Sequence, residues 1–547
     1  MRTSVTMRLL LWLVLGAFAC LSQAQDVIYP AHNFSVPIDH FHNESRYEPH
    51  SDDFFNLRYW FDTTHYRPGG PVFVIAAGET NGEDRFPFLS QGIVTQLAAT
   101  YHGVGVILEH RYYGESYPAA EVTPSSLRFL STEQALADYA YFASHVVFPG
   151  LEDHDLTAPA TPWIAYGGSY AGAMTAFLRK LYPEVFWGAV SSSGVTAAII
   201  DYWTYYEPIR NFGPADCIDT IQTITAIVDR ILIDHPHNKT LHAQLQAAFG
   251  VTPPVDKQDF VSALSSPLGL FQSRNWDPAV GSGDFRSYCD NITSPEPLYP
   301  LDNNATALVP NLIDIAGYNA SDPSLIAAII NDIGFLGLSS STRDDDDDDD
   351  TETTDRGNST LPKSSDTSWG YQVCTEWGYF MPGSTVPPHI RPLISRLIDL
   401  EYTSAFCGTE FAIHTPPKVE RINRYGGLDF SYPRAAIIGG AADPWRDATP
   451  HYQGAPPRPS TDSEPFILVD IPVEHVWDGI QGAVHHWDQN GLSRDEWAGG
   501  ERPPKEIIDL HQEIVRFVGV WLREWKQASQ SILRSLSIVR IQRGTGQ

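Results

Sequence analysis

A chain of 547 residues exceeds one ordinary domain core, so two domains, or one domain with a large insertion, are expected. At 42% hydrophobic and 12% aromatic residues it is globular, which excludes a disordered or fibrous chain. A formal net charge of −30 argues against nucleic acid as a partner; it suits a protein in an acidic medium, and equally serves plain solubility.

In chain order, Arg2 and Arg8 accompany an apolar run, Leu9 to Ala19, that is too short to span a bilayer. Ser22-Gln-Ala24 is a small-x-small cleavage site, so residues 1–24 read as a secretory signal and Gln25 as the first mature residue. No later stretch has the length and apolarity of a membrane helix. Losing the signal removes Cys20 and leaves Cys217, Cys289, Cys374 and Cys407. In a secreted chain these imply two disulfides. Three pairings exist, and sequence neighbours are favoured: Cys217 with Cys289, Cys374 with Cys407. No close Cys-x-x-Cys pair offers a zinc site. Asn33, Asn43, Asn238, Asn291, Asn304, Asn319 and Asn358 open Asn-x-Ser/Thr sequons and are expected glycosylation sites.

Ser35 to Phe41 and Phe54 to Phe61 read as strands. Pro71 to Ala77 is a buried-strand run ending in the flexible loop Gly78-Glu-Thr-Asn-Gly82. Ile93 to Thr100 is helical, and Val104 to Leu108 is the next strand. Ser131-Thr-Glu-Gln134 is a capping box that opens a helix with Leu136, Tyr139, Ala140 and Phe142 on its apolar side. Pro162 to Tyr166 is again a strand. Gly167 and Gly168 then remove side chains just before Ser169, and helical spacing follows from Ala171. Strand, tight turn with serine, helix is the nucleophile elbow. The fifth position of Gly-x-Ser-x-Gly is Ala171 here, with Gly172 one later. The competing reading is a structural Gly-Gly turn whose serine caps the helix. Gly188 to Gly194 adds a strand and turn. Strands alternating with helices predict a parallel sheet with helices on both faces.

That rhythm stops near residue 200. Residues 201–426 read as a mostly helical insertion, with helices at Ile218–Leu232, Thr240–Phe249 and Leu393–Leu400. It holds all four mature cysteines and the run Asp344 to Asp350, which cannot pack and must be a solvated loop. Calcium is a poor reading of that run, because consecutive aspartates lack the alternating spacing that wraps one ion. The rhythm returns at Ala435–Gly439 and Phe466–Ile471, so residues 427–527 complete the core. Lys505 to Trp525 is a final amphipathic helix, and 528–547 is a basic tail.

A Ser–His–Asp hydrolase on such a sheet places its acid and histidine in loops after late strands, in the order Ser, Asp, His. Asp443 follows the first strand after the insertion and His485 the next. A serine hydroxyl needs a base within reach, and the base needs an orienting carboxylate. Ser169, Asp443 and His485 meet this order. His486 is the rival base and Asp447 a lesser rival acid.

These residues also carry a resemblance. The segments are Val36-Pro-Ile-Asp-His-Phe41, Phe55-Asn-Leu-Arg-Tyr59, Glu109-His-Arg-Tyr-Tyr-Gly-Glu-Ser116, Thr132-Glu-Gln-Ala-Leu-Ala-Asp138 and Gly167-Gly-Ser-Tyr-Ala-Gly172. Later come Trp369-Gly-Tyr-Gln-Val-Cys-Thr-Glu376, Asp443-Pro-Trp445 and Gly482-Ala-Val-His-His-Trp-Asp488. The chain resembles the serine peptidase family that includes Pro-X carboxypeptidase, dipeptidyl peptidase II, thymus-specific serine protease and fungal prolyl peptidases. The resemblance implies an α/β-hydrolase core with a helical cap inserted after the sixth core strand. It implies cleavage on the carboxyl side of proline, the triad Ser169, Asp443 and His485, and a disulfide from Cys374 to Cys407. It also implies Trp445 as a wall of the proline pocket, with core packing as the alternative. Gly168 is counted with it as substrate-contacting.

The chain departs from the family at the loop after the first long core strand, commonly Gly-Asn-Glu-Gly but here Gly78-Glu-Thr-Asn-Gly82. That loop should supply one oxyanion donor, at Glu79; the Tyr170 N–H is the other. Trp487 stands where relatives have Leu. The expectation is a secreted serine peptidase of dipeptidyl, carboxy- or endopeptidase type, with lysosome or vacuole as the alternative location. An esterase or lipase, or a catalytically silent peptide-binding glycoprotein, are the other readings. Peptides are the expected partners. No metal or organic cofactor is implied, and the oligomeric state stays open, a homodimer included.

Overall fold

The computed structural model describes residues 29–300, 303–341 and 360–544. The signal-peptide reading, Asn358 and the Asp344–Asp350 run lie outside the described residues. Ten strands follow in chain order: β1 (His32–Pro37), β2 (Phe54–Asp62), β3 (Val72–Ala76), β4 (Val104–Leu108), β5 (Trp163–Gly168), β6 (Phe186–Ser192), β7 (Ile199–Asp201), β8 (Gly378–Phe380), β9 (Ala435–Gly440) and β10 (Phe466–Val469). Eight form one sheet in the order β1-β2-β4-β3-β5-β6-β9-β10, while β7 and β8 pair separately. From β4 to β10 every pairing is parallel; β1–β2 and β2–β4 are antiparallel. The reason is in the side chains. β3, β4, β5 and β9 are buried at every position, as strands covered on both faces must be. This is the α/β-hydrolase architecture.

Helices cover both faces. Helix Thr132–His145 starts at Ser131, whose hydroxyl accepts the Gln134 N–H at 3.3 Å. The expected reciprocal half of that capping box is absent. The Gln134 side chain instead donates to Asp39 at 2.7 Å and accepts the His40 N–H at 2.9 Å, tying the helix to the chain after β1. The last helix, Lys505–Gly544, runs on through the segment read as a tail. It lies close on β6: a Cβ at Gly188 would meet the Trp521 ring at 2.6 Å.

Between β6 and β9 the described chain is mainly helical. Helix Ala215–Asp234 buries Ile218, Ile221, Ile224, Ile227, Val228 and Ile231, the three-and-four spacing of one helical face. Disulfides join Cys217 to Cys289 and Cys374 to Cys407. The helix expected at Leu393–Leu400 is not there; the helix is Leu400–Phe411. Asp399 decides this by capping it, accepting the Tyr402 N–H at 2.7 Å. The preceding residues are held irregularly, with the Arg396 N–H donating to Asp229 at 3.0 Å.

Candidate active site

β5 ends at Gly168, and Ser169 opens helix Ser169–Leu181 at φ +58, a left-handed conformation that an L-residue adopts at a cost. Close packing forces the small neighbours. A Cβ at Gly167 would come 2.3 Å from the Ala171 carbonyl oxygen, and one at Gly172 2.8 Å from the backbone of Gly194 and Ser192. Ala171 is tolerated at the motif's fifth position because Gly78 faces it; a Cβ there would sit 2.8 Å from the Ala171 Cβ. The Tyr170 N–H, in the first turn of the helix, has no intrahelical acceptor. The Tyr170 hydroxyl is tied to His110 Nε2 at 2.9 Å and Gln372 Nε2 at 3.0 Å, so its position is fixed from both the core and the insertion. Gly168 is buried with Gln489 against it, rather than facing an open cleft.

Asp443 follows β9 and is buried. Its carboxylate accepts from His485 Nδ1 at 2.9 and 3.0 Å and from the Trp445 N–H at 2.9 Å. The close approach again rests on glycine: a Cβ at Gly440 would lie 2.3 Å from the Val484 carbonyl oxygen. His486 is turned differently. Its N–H donates to Ser193 at 2.9 Å, and burial, with His485 and Arg85 adding to it, drives its imidazole far below the usual range. Asp447 lies apart from the pair and accepts the Gln453 N–H at 2.7 Å.

Glu79, on the loop after β3, feels both Ser169 and His485. The N–H of this same residue is the group read from sequence as an oxyanion donor. Burial raises this carboxyl above the ordinary glutamate range, against the opposing pull of Arg85, that N–H, His485 and Ser169.

Trp445 is 3% exposed. Its indole stacks on Tyr202 at 5.5 Å, meets Tyr205 and Tyr379 edge-on, and donates to Gln272 at 2.7 Å. The His485 ring is 6.4 Å away. The ring is therefore one member of an aromatic box beside the histidine.

Sequence reasoning gave no role to the residues that hold the histidine loop. The Asp488 carboxylate accepts from Tyr166 on β5 and Ser192 on β6, fixing the loop to the strand ends. From the insertion, Trp276 donates to the Trp487 carbonyl and Trp487 to the Arg274 carbonyl, both at 2.9 Å. Arg274 is paired with Asp478 at 2.6 Å, both buried. Asp488 lay within a segment quoted for the resemblance. Arg274 and Trp276 carried no motif at all, and only the packing of the insertion reveals them.

Among the described residues, two groups have ligand atoms close enough to share a cation: Asp39, His42 and His50, and Asp277, Glu496 and Glu501. Neither includes a residue of the serine site. Asp39 is already occupied by His50, Gln134 and the Phe41 N–H. No helix among the described residues is long and apolar enough to cross a membrane. Asn33, Asn43, Asn238 and Asn319 are exposed, whereas Asn291 is half-buried and its amide donates to the Ser287 carbonyl at 2.7 Å.

Residues 36–455 match the family described as serine carboxypeptidase S28. A probable extracellular serine carboxypeptidase of Arthroderma benhamiae is 45% identical over 92% of this chain and 70% of its own length. Serine protease vicPa of Bipolaris victoriae is 26% identical over 84% of this chain and 86% of its own. The thymus-specific serine protease of Mus musculus is 26% identical over 72% and 73%. Among solved structures, a proline iminopeptidase of Mycobacterium smegmatis aligns with 91% of this chain and 100% of its own, at 11% identity and TM-score 0.32.

Proposed function

Since the chain belongs to the serine carboxypeptidase S28 family and is a serine-type peptidase, we propose that Ser169, His485 and Asp443 are its nucleophile, base and orienting acid. The observations that carry this reading are the buried Asp443–His485 pair and a serine held at positive φ on an elbow. Asp443 fixes the imidazole with Nδ1 protonated, which leaves Nε2 to take the Ser169 proton. The serine oxygen attacks the scissile carbonyl, and the Tyr170 N–H faces the oxygen that becomes negative. The imidazolium then gives its proton to the leaving amine. Water, deprotonated by the same histidine, hydrolyses the acyl-enzyme.

The enzyme is extracellular, in keeping with the description of the Arthroderma relative. Proline before the scissile bond is the substrate preference we propose: Trp445, its ring 6.4 Å from that of His485, belongs to a packed aromatic cluster with Tyr202, Tyr205 and Tyr379, an apolar wall that suits a side chain with no hydrogen-bond donor. Residues 201–426 act as the cap over this cleft, and removal of residues from a free carboxyl terminus is the family's described mode. Mass spectrometry of products from proline-containing peptides with free and blocked ends tests both points. Cleavage that persists with a blocked carboxyl terminus and stops with a blocked amino terminus means dipeptidyl-peptidase action. Turnover of esters without turnover of peptides replaces the peptidase reading with an esterase.

A further inference from the structure

The residue after the serine is held by its side chain as well as by its backbone. The Tyr170 ring is fully buried where the core meets the insertion. The His110 ring, from the core, lies 5.5 Å from it, and the Trp369 and Trp377 rings, from the insertion, lie at 5.5 and 5.3 Å. Its hydroxyl meets three polar atoms: His110 Nε2 at 2.9 Å, Gln372 Nε2 at 3.0 Å and Thr132 Oγ1 at 3.4 Å.

The direction of each bond follows from the next one along. His110 Nδ1 faces the Arg111 carbonyl at 2.7 Å, and a carbonyl can only accept, so Nδ1 carries the proton and Nε2 is an acceptor. Burial lowers this imidazole to about 4, which keeps it neutral near neutral pH. The Tyr170 hydroxyl therefore donates to His110 and accepts from the Gln372 amide. That amide is oriented from its other end, where Oε1 accepts the Tyr113 hydroxyl at 2.6 Å. Thr132 is turned to Glu376, whose Oε1 accepts its N–H at 2.7 Å and its hydroxyl at 2.6 Å. Gln372 and Glu376 stand four residues apart and flank Cys374, which the disulfide to Cys407 ties down. The insertion thus presents a fixed donor to the phenol of the elbow.

The Tyr170 N–H lacks an intrahelical bond and follows a residue at φ +58, so the side chain supplies a restraint that the helix does not. An oxyanion donor works by being aimed before the charge forms, and a small misplacement costs rate more than binding. We infer that the Tyr170 hydroxyl is the adjusting point of the oxyanion hole: Gln372 of the insertion and His110 of the core hold it, and through the ring they set the direction of the Tyr170 N–H. Gln372 is then a positioning residue, and full catalytic power requires the insertion to be docked on the elbow. The inference rests on the reading of that N–H as an oxyanion donor.

The test compares wild type, Tyr170→Phe, Gln372→Met and the double variant. Phenylalanine keeps the ring and the N–H, and methionine keeps the length of the side chain without its donor. The readouts are kcat and KM for a peptide substrate, and affinity for a peptidyl aldehyde, whose adduct with the serine carries the oxyanion; thermal melts establish folding. The expected result is that kcat and aldehyde affinity fall together by about tenfold or more in each single variant while KM stays within about twofold. The double variant should lose no more than Tyr170→Phe, because both changes remove one contact. Should Tyr170→Phe melt below the assay temperature, Gln372→Met carries the test with the tyrosine in place. Folded variants with unchanged kcat, a rise in KM alone, or a fall in kcat without a fall in aldehyde affinity each overturn the inference. Additive losses in the double variant remove Gln372 from it. Wild-type protein that binds the aldehyde no more tightly than the matching alcohol strikes the oxyanion reading itself, and wild-type protein that a fluorophosphonate labels no faster than Ser169→Ala strikes the triad.

Discussion

At the scale of single residues, the proposed triad makes a sharp prediction, because its members work as one unit. Ser169→Ala and His485→Ala should each lower turnover by on the order of 10⁶-fold, with the melting temperature little changed. His486→Ala should cost far less, because Asp443 holds His485 and not its neighbour. Steady-state rates for the three variants decide this, and a larger loss in His486→Ala moves the base. Trp445 needs a subtler change, because its ring is buried and its N–H holds Asp443 through the backbone. Truncating a packed indole to alanine costs about 3–5 kcal/mol of stability, which would blur any effect on specificity. Trp445→Phe keeps a ring but loses the bond to Gln272. It should lower kcat/KM for a prolyl substrate relative to its alanyl analogue by roughly tenfold, with probe labelling at Ser169 nearly unchanged. Equal losses for both substrates and the probe would assign the indole to the triad loop alone.

Among the elements, the informative contact joins helix Asp284–Ile292 to helix Pro323–Ser341 in the insertion. Tyr288 donates to the Asp332 carboxylate at 3.0 Å in a cavity of about 30 Å³ lined by Ile221, Ile224 and Val228. Burial pushes Asp332 up to about 7, and the Tyr288 bond opposes the rise only in part. In the unfolded chain the carboxyl loses its proton near the ordinary value of 3.8. Between those two values the folded state binds a proton that the unfolded state has lost, so this group's contribution to stability falls as pH rises. Asp332→Asn removes that penalty and keeps the shape. Its melting temperature should exceed that of wild type by a few degrees at about pH 8, and the gain should vanish near about pH 4. Thermal melts across that range measure it, and a gain independent of pH would show that Asp332 does not titrate in this window.

For the whole molecule, the sheet and the insertion meet at the histidine loop. Gln272, Arg274 and Trp276 reach from the insertion to Trp445, Asp478 and Trp487, so the insertion completes the wall of the site. The Asp344–Asp350 run has no such task in its composition, since nothing in it can pack. Replacing it with a short Gly/Ser linker should leave melting temperature and kcat/KM nearly unchanged. A large loss of stability, together with calcium-dependent stability in the parent protein, would give the run a structural role.

The sequence by itself determined the core strands, the elbow at Ser169 and the chain order of the triad candidates. These depend on local pattern: continuous apolar runs, glycines that clear space, and turns placed after strands. It also favoured the pairing of cysteines that are sequence neighbours, the pairing the structure has. What it misplaced was decided between distant segments. The helix expected at Leu393–Leu400 yielded to a cap at Asp399, and the capping box at Ser131 lost its second half to Asp39. An apolar run or a cap signal cannot show which distant partner will claim its side chains. Only the tertiary structure fastened Asp488 to the strand ends, clasped the histidine loop from the insertion, and raised the Glu79 carboxyl by burial. Burial and orientation set that chemistry, and both come from segments tens to hundreds of residues away.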